Sequence, residues 1–154
     1  MGESEWKHAG WVSGLGKWAW IILLALGIIR ILAELATVLV ALPGWEAGRE
    51  LAALLAIPYT VPHPIVLFIW PLLGGIISII VSLFIIRPKF SKPCGAKDWE
   101  ALYGWTLNLG GKNVPWMFIW GIIFVIFSWF YITGVFVMLP AIMLIWVGPR
   151  KYEW

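Results

Sequence analysis

The sequence predicts an all-α integral membrane protein, a four-helix bundle built as one transmembrane domain over residues 1–154. The chain is 62% hydrophobic and only 12% charged, with a mean hydropathy of +0.90. Soluble domains carry about 25% charged residues and about 45–50% apolar ones. A domain this small leaves much of its area exposed, so it cannot hide this much apolar surface from water. We therefore expect a multi-pass protein of the plasma membrane.

Three apolar regions supply the predicted helices. The runs 18–42 and 65–86 are each long enough to cross a hydrocarbon core of about 30 Å. The 34 residues of 115–148 would form one helix of about 51 Å, which is too long. The glycine of "YITG" favours a turn, which predicts helices at 115–131 and 134–148, each about 24 Å long. A re-entrant loop is the alternative for this region.

The basic residues predict the orientation. An even number of passes places both termini on one side, and that side holds nine lysines and arginines. The other side holds only Arg49. Because cytoplasmic loops carry an excess of Lys and Arg, both termini are expected in the cytoplasm. The nine residues are Lys7, Lys17, Arg87, Lys89, Lys92, Lys97, Lys112, Arg150 and Lys151.

The first apolar run carries two opposite charges, Arg30 and Glu34, one helical turn apart. Its fourteen Leu, Ile and Val residues favour insertion by roughly 4–8 kcal/mol, whereas two central charges oppose it by about 5–7 kcal/mol. The first helix is therefore marginal alone and needs neighbours. The second run has no charge and should insert readily.

Helical spacing shows which way the two charges point. Gly27, Arg30, Glu34, Thr37 and Ala41 recur at alternating intervals of three and four residues, so they form one narrow stripe on the helix. Small residues allow membrane helices to approach closely, and this stripe is therefore expected to face protein rather than lipid.

Other helices carry matching small residues. In the second helix these are Gly74, Gly75, Ser78 and Ser82, and in the fourth they are Gly134, Ala141 and Gly148, at seven-residue intervals. Such rows of small side chains are typical of close helix packing in membranes. We infer a compact bundle with the charged pair inside.

The sequence leaves the role of Arg30 and Glu34 open. One interpretation is an internal ion pair that fixes packing, although Arg before Glu is the less favourable order at this spacing. Either charge could instead pair with another helix, a partner subunit or a lipid headgroup. A third interpretation is a path for an ion, a proton or a solute, because ionisable groups inside membranes are functional candidates.

The segment between the first two helices predicts a short interfacial helix at 45–57. Its apolar half would lie in the plane of the outer interface. The prolines that follow require an extended path into the second helix. His63 is interpreted as a polar residue of this interface; the alternative is a ligand position with Glu46 or Glu50, for which one histidine is a weak signal.

The predicted inner loop, residues 87–114, begins with basic residues and prolines. Arg87, Lys89 and Lys92 suit the anionic headgroups of the inner leaflet. Cys94 lies in the same loop, where a reducing compartment keeps it as an inert thiol; lipidation or redox sensing is the alternative.

No motif for a metal, a nucleotide or a nucleophile is present in the sequence, and we expect neither a cofactor nor an enzyme. The net charge of +3 does not indicate nucleic-acid binding, because the basic residues lie beside the apolar runs rather than along one face. The favoured function is a non-catalytic accessory subunit that packs against other membrane protein subunits or against itself. A small channel or transporter that uses Arg30 and Glu34 is the alternative, and a membrane enzyme ranks third.

Overall fold

The computed structural model describes residues 6–127 and 132–152. Most of these residues are helical, and two long apolar helical stretches, Ala9–Leu54 and Pro64–Ala96, have the length and composition needed to cross a membrane. The elements in chain order are α1 (Ala9–Leu54), α2 (Pro64–Val81), a π-helical segment (Ser82–Ser91), α3 (Lys92–Ala96), α4 (Trp99–Gly104), β1 (Thr106–Leu109), β2 (Lys112–Pro115), α5 (Trp116–Phe127) and α6 (Ile132–Val147). The prediction of a mainly helical chain is confirmed, with a small β-hairpin added.

Helix α1 is far longer than the predicted span 18–42. It runs for 46 residues and passes through Pro43 without ending. A proline removes one backbone hydrogen bond, and α1 continues past this gap although Gly44 follows directly. Residues 45–54 therefore continue the axis of α1, which corrects the expectation of a separate interfacial helix at 45–57.

The second long stretch also continues beyond its predicted end. Residues 82–91 form π-helical turns that contain Pro88, and α3 follows directly. Ile86, Phe90 and Cys94 are each 0% exposed, and their four-residue spacing places them on one side of this stretch. Because this side packs against α1, the predicted inner loop begins only after Ala96.

The rest of the inner segment is also structured. Asp98 caps α4, since its Oδ1 accepts the Ala101 N–H at 3.1 Å. Strands β1 and β2 form an antiparallel hairpin with Leu109 opposite Lys112. The turn residues Gly110 and Gly111 have φ values of +60° and +85°, the left-handed region that a two-residue hairpin turn requires.

The main hydrophobic core lies at the end of the molecule that was predicted to face the cytoplasm. It joins the first half of α1 to the π-helical segment, α3, α4 and α6. Trp99 is the largest buried side chain at its centre, and it meets the ring of Trp6 edge-on at 5.6 Å. The Tyr103 hydroxyl donates to the Leu144 carbonyl at 2.9 Å, which ties α4 to α6.

Helices α1 and α2 are antiparallel and approach closely at Gly27 and Gly75. A Cβ on Gly75 would lie 2.7 Å from Ile31 Cγ1 and 3.2 Å from the Gly27 carbonyl oxygen. Below this crossing, Ser78 donates to the Leu23 carbonyl at 3.1 Å. Ser82 donates to the Trp20 carbonyl at 2.5 Å. These hydrogen bonds connect the second helical stretch to the α1 backbone, and they satisfy the two hydroxyl donors without water.

Helices α5 and α6 form the second hairpin. Residues 128–131, which include part of the predicted "YITG" turn and the end of the predicted helix 115–131, lie outside the described residues. Since α6 begins at Ile132, Gly134 lies within the helix rather than in a turn. A Cβ there would lie 2.5 Å from Val125 Cγ2 and 2.7 Å from the Gly121 carbonyl oxygen, so its function is close contact with α5.

We predict that Gly75→Leu lowers the free energy of unfolding by about 1–3 kcal/mol, the usual cost of overpacking. The added side chain must push Ile31 and the α1 backbone away. Gly14→Leu is the matched control, because nothing lies within 4 Å of a Cβ on Gly14. Thermal unfolding in detergent, followed by circular dichroism, measures both; equal stability of the two variants would contradict the close crossing.

Candidate functional site

The charged pair of α1 lies just above the Gly27–Gly75 crossing. Glu34 is fully buried, with 0% of its surface exposed, whereas Arg30 is half-buried. The two residues lie one helical turn apart on α1, a spacing at which their opposite charges attract each other. The two predicted residues are therefore neighbours on one helix, close enough to interact electrostatically.

The Glu34 carboxylate is the most unusual group of this unit. Within the described residues, neither of its oxygen atoms accepts a hydrogen bond. A buried carboxylate without hydrogen bonds is strongly unfavourable unless a charge compensates it. The compensation available on the same helix is the guanidinium of Arg30, whose partial exposure gives the pair one sealed end and one open end.

The predicted stripe is covered by protein over only part of its length. Gly27 is buried against Gly75, Ser78 and Ile79 of α2. Thr37 is exposed, and its hydroxyl donates back to the Ala33 carbonyl at 2.8 Å. Ala41 is half-buried. The stripe therefore passes from a packed interface below Glu34 to an uncovered surface above it.

An open hollow of about 360 Å³ marks this uncovered surface. Ala36, Thr37, Val40 and Ala41 line it. Thr37 and Ala41 belong to the predicted stripe, whereas Ala36 and Val40 were not predicted. Ala36 and Val40 are four residues apart and lie directly beside the stripe, and this spacing could have identified them.

The remaining packing residues lie at three helix contacts. On α2 and the turn after it, Gly74, Gly75, Ser78 and Ser82 are all buried. On α6, Gly134 and Ala141 are buried, and Gly148 is half-buried just after the helix ends. Gly75, Ser78 and Ser82 contact the α1 backbone. Gly134 contacts the α5 backbone, and Gly148 adjoins Leu144 and Tyr103.

The outer end carries an aromatic cluster around His63. Its Nδ1 accepts the Ile65 N–H at 3.3 Å, so His63 caps α2. Its ring lies 4.6 Å from the ring of Trp45, and Trp45 donates to the Val61 carbonyl at 3.0 Å. Glu46 and Glu50 are exposed. Across residues 6–127 and 132–152, no three His, Cys, Asp or Glu side chains converge in a metal-binding arrangement.

The inner surface presents the predicted basic residues. Arg87, Lys89 and Lys92 are exposed, and the Arg87 guanidinium lies 4.6 Å from the centre of the Trp20 ring. Cys94 is fully buried against Gly16. Reactive cysteines are partly accessible, so this burial favours a packing function for the thiol.

Compared with known proteins, the chain matches no family model, no curated protein and no solved structure.

We predict that Arg30→Leu lowers the free energy of unfolding by up to about 3–5 kcal/mol, because it leaves the sealed Glu34 carboxylate without its compensating charge. The double variant Arg30→Leu/Glu34→Leu should be neutral, or more stable than the wild type by about 1–4 kcal/mol. Ile29→Leu, at a position 58% exposed, controls for a change on the same helix. If both Arg30 variants lose the same stability, the two charges do not interact.

Proposed function

We propose that this protein is a non-catalytic subunit of a larger membrane protein complex. In this proposal the stretches Ala9–Leu54 and Pro64–Ala96 cross the plasma membrane, and the α5–α6 hairpin completes a four-helix bundle with both termini in the cytoplasm. A transmembrane helix of a different protein covers the outer half of α1, defined as residues 28–54. The carrying observation is how little of this outer half is packed within the chain.

The two halves of α1 differ sharply in burial. The inner half, residues 9–27, has seven buried residues, whereas the outer half has two, Glu34 and Ala52. Large apolar side chains of the outer half are open: Leu39 is 70% exposed and Val40 is 81% exposed. Lipid or a partner must cover such side chains, since exposed apolar patches of this extent mark interaction surfaces.

The length of α1 favours a partner for part of this surface. Its 46 residues extend for about 69 Å, more than twice the thickness of a hydrocarbon core of about 30 Å. Exposed apolar side chains continue to Leu54, which is 84% exposed. A bilayer that covers the middle of α1 therefore leaves apolar residues beyond it, even when a typical tilt of about 20° is allowed.

The stripe of small residues favours a helix as the covering element. Below Glu34, Gly27 of the stripe packs against α2. Above Glu34, Thr37 and Ala41 border the open hollow. Small side chains let a second backbone approach, so a partner helix in the hollow would extend the same kind of contact outward.

The basic inner surface supports the proposed orientation. The exposed residues Arg87, Lys89 and Lys92 would face the anionic headgroups of the cytoplasmic leaflet, each with an attraction of about 1 kcal/mol. Helices α5 and α6 have 12 and 16 residues, about 18 and 24 Å. They are short for a bilayer, which again favours packing within an assembly.

Gentle solubilisation followed by native mass spectrometry tests this proposal. We predict that the wild-type chain is recovered with a heterologous partner. Ala36→Trp fills the hollow and should release the partner, whereas Leu39→Trp, which places the same side chain outside the hollow, should retain it. Recovery of only monomers or homo-oligomers, or equal loss in both variants, would contradict a partner helix at this surface.

A channel or transporter is the second candidate, and the sealed Glu34 carboxylate favours it. Ionisable groups buried in membranes often lie on ion or proton paths. If Glu34 carries protons or ions, the purified chain in liposomes will conduct, and Glu34→Gln will abolish this flux. In the solubilisation experiment, the same variant should still be recovered with the partner. Absence of flux from wild-type liposomes rejects this candidate.

A further inference from the structure

A polar pocket lies at the inner end of the molecule, away from the Arg30–Glu34 pair. It is enclosed by the end of α4, the β-hairpin and the chain that follows α6, and it has a volume of about 310 Å³. Pockets that bind small ligands begin at about this size. Its main lining residues are Tyr103, Thr106, Asn113, Arg150, Lys151 and Tyr152.

Hydrogen bonds fix the walls of this pocket. The Tyr152 hydroxyl donates to the Asn113 carbonyl of β2 at 3.0 Å, and the Tyr103 hydroxyl donates to the Leu144 carbonyl of α6 at 2.9 Å. Burial raises the pKa of Tyr152, so its phenol remains protonated and keeps donating. The two tyrosines therefore form a frame, and their protons are already committed to that frame.

The charged groups of the pocket are cations. Arg150 Nη1 pairs with Glu100 Oε1 at 2.6 Å, and the guanidinium lies 4.5 Å from the centre of the Tyr103 ring. These two contacts orient the Arg150 fork before any ligand arrives. Among the described residues, Lys151 has neither an ion pair nor a hydrogen bond. Of the two lining cations, Glu100 neutralises Arg150, so the described part of the pocket keeps the positive charge of Lys151.

We propose that this pocket binds the phosphate group of an anionic lipid headgroup. Lys151, Thr106 and Arg150 line the pocket and carry an ammonium, a hydroxyl and a guanidinium, and within residues 6–127 and 132–152 the lining contains no carboxylate. Such donors bind phosphate oxygens through charge-assisted hydrogen bonds. The uncompensated positive charge of these residues matches an anionic phosphodiester headgroup, whereas a choline headgroup would bring a further cation beside Lys151.

The position of the pocket favours a lipid as the source of the phosphate. The pocket follows directly after the last turn of α6, where Trp146 is 59% and Val147 is 47% exposed. A lipid with its headgroup in the pocket could lay its acyl chains along these apolar residues. This step rests on the membrane location proposed above. It does not rest on the partner helix, because none of the pocket residues belongs to the outer half of α1.

Lipid retention by the purified full-length chain, measured by native mass spectrometry, tests the assignment. We predict that phosphatidylglycerol is retained more strongly than zwitterionic phosphatidylcholine. Lys151→Gln should weaken phosphatidylglycerol retention about tenfold, because it removes one charge-assisted contact. The control is Lys97→Gln, since Lys97 is an exposed cation outside the pocket; phosphatidylglycerol retention by this variant should be unchanged. Thr106→Val should weaken retention without altering charge.

Three outcomes separate the alternatives. Equal loss in Lys151→Gln and Lys97→Gln overturns the pocket, because general surface attraction then explains retention. Equal retention of the two lipids also overturns it. If inorganic phosphate binds the purified chain, this binding is lost in Lys151→Gln, and phosphatidylglycerol is not retained, the phosphate site is supported and the lipid source is overturned. None of these variants touches the outer half of α1, so recovery of the protein partner reports separately on the proposed complex.

Discussion

The contact between Gly27 and Gly75 is the constraint on which the rest of the structure depends. The backbones of α1 and α2 are so close here that a Cβ on Gly75 would lie 3.2 Å from the Gly27 carbonyl oxygen. Such a close approach requires residues without a side chain. The approach brings Ser78 and Ser82 within reach of α1 carbonyls, which they bond at 3.1 and 2.5 Å. Glu34 lies two turns beyond this crossing on α1 and is fully buried.

Below the crossing the chain gains a second source of stability that is absent above it. Trp99, Phe90 and Leu144 form a fully buried core in which short elements, α3 and α4, close the spaces between long ones. Above the crossing, most of the large apolar side chains of α1 are exposed. In the proposed membrane setting, lipid tails supply no hydrophobic force that would draw another helix onto them. The same helix is thus part of a core at one end and largely exposed at the other.

The sequence predicted the features that depend on local pattern. Long apolar runs predicted the two long helices, and the spacing of small residues identified Gly27 and Gly75, which the structure places in contact. The continuation of α1 through Pro43 was missed because proline usually ends helices, and nothing local shows that the ladder resumes. The hairpin turn at Gly110 and Gly111 was missed although glycine pairs are typical of such turns. These residues lie between two apolar runs, and the whole segment 87–114 was therefore predicted to be a loop. The inner pocket was out of reach, because Tyr103 and Arg150 are brought together only by the packing of α4 on α6.

Glu34 lies at the boundary between the covered and the uncovered part of α1, and in the proposed complex this position would link the charged pair to assembly. The attraction between two charges grows as water is removed from around them. Arg30, still half-buried in the single chain, faces more water than Glu34 does. A helix in the hollow beside Thr37 would exclude water close to this boundary, and the Arg30–Glu34 attraction would then strengthen as the partner binds. The charge pair, which opposes membrane insertion of an isolated α1, would in this way stabilise the assembled complex. The strength of the Arg30–Glu34 attraction would then depend on whether the outer half of α1 is covered.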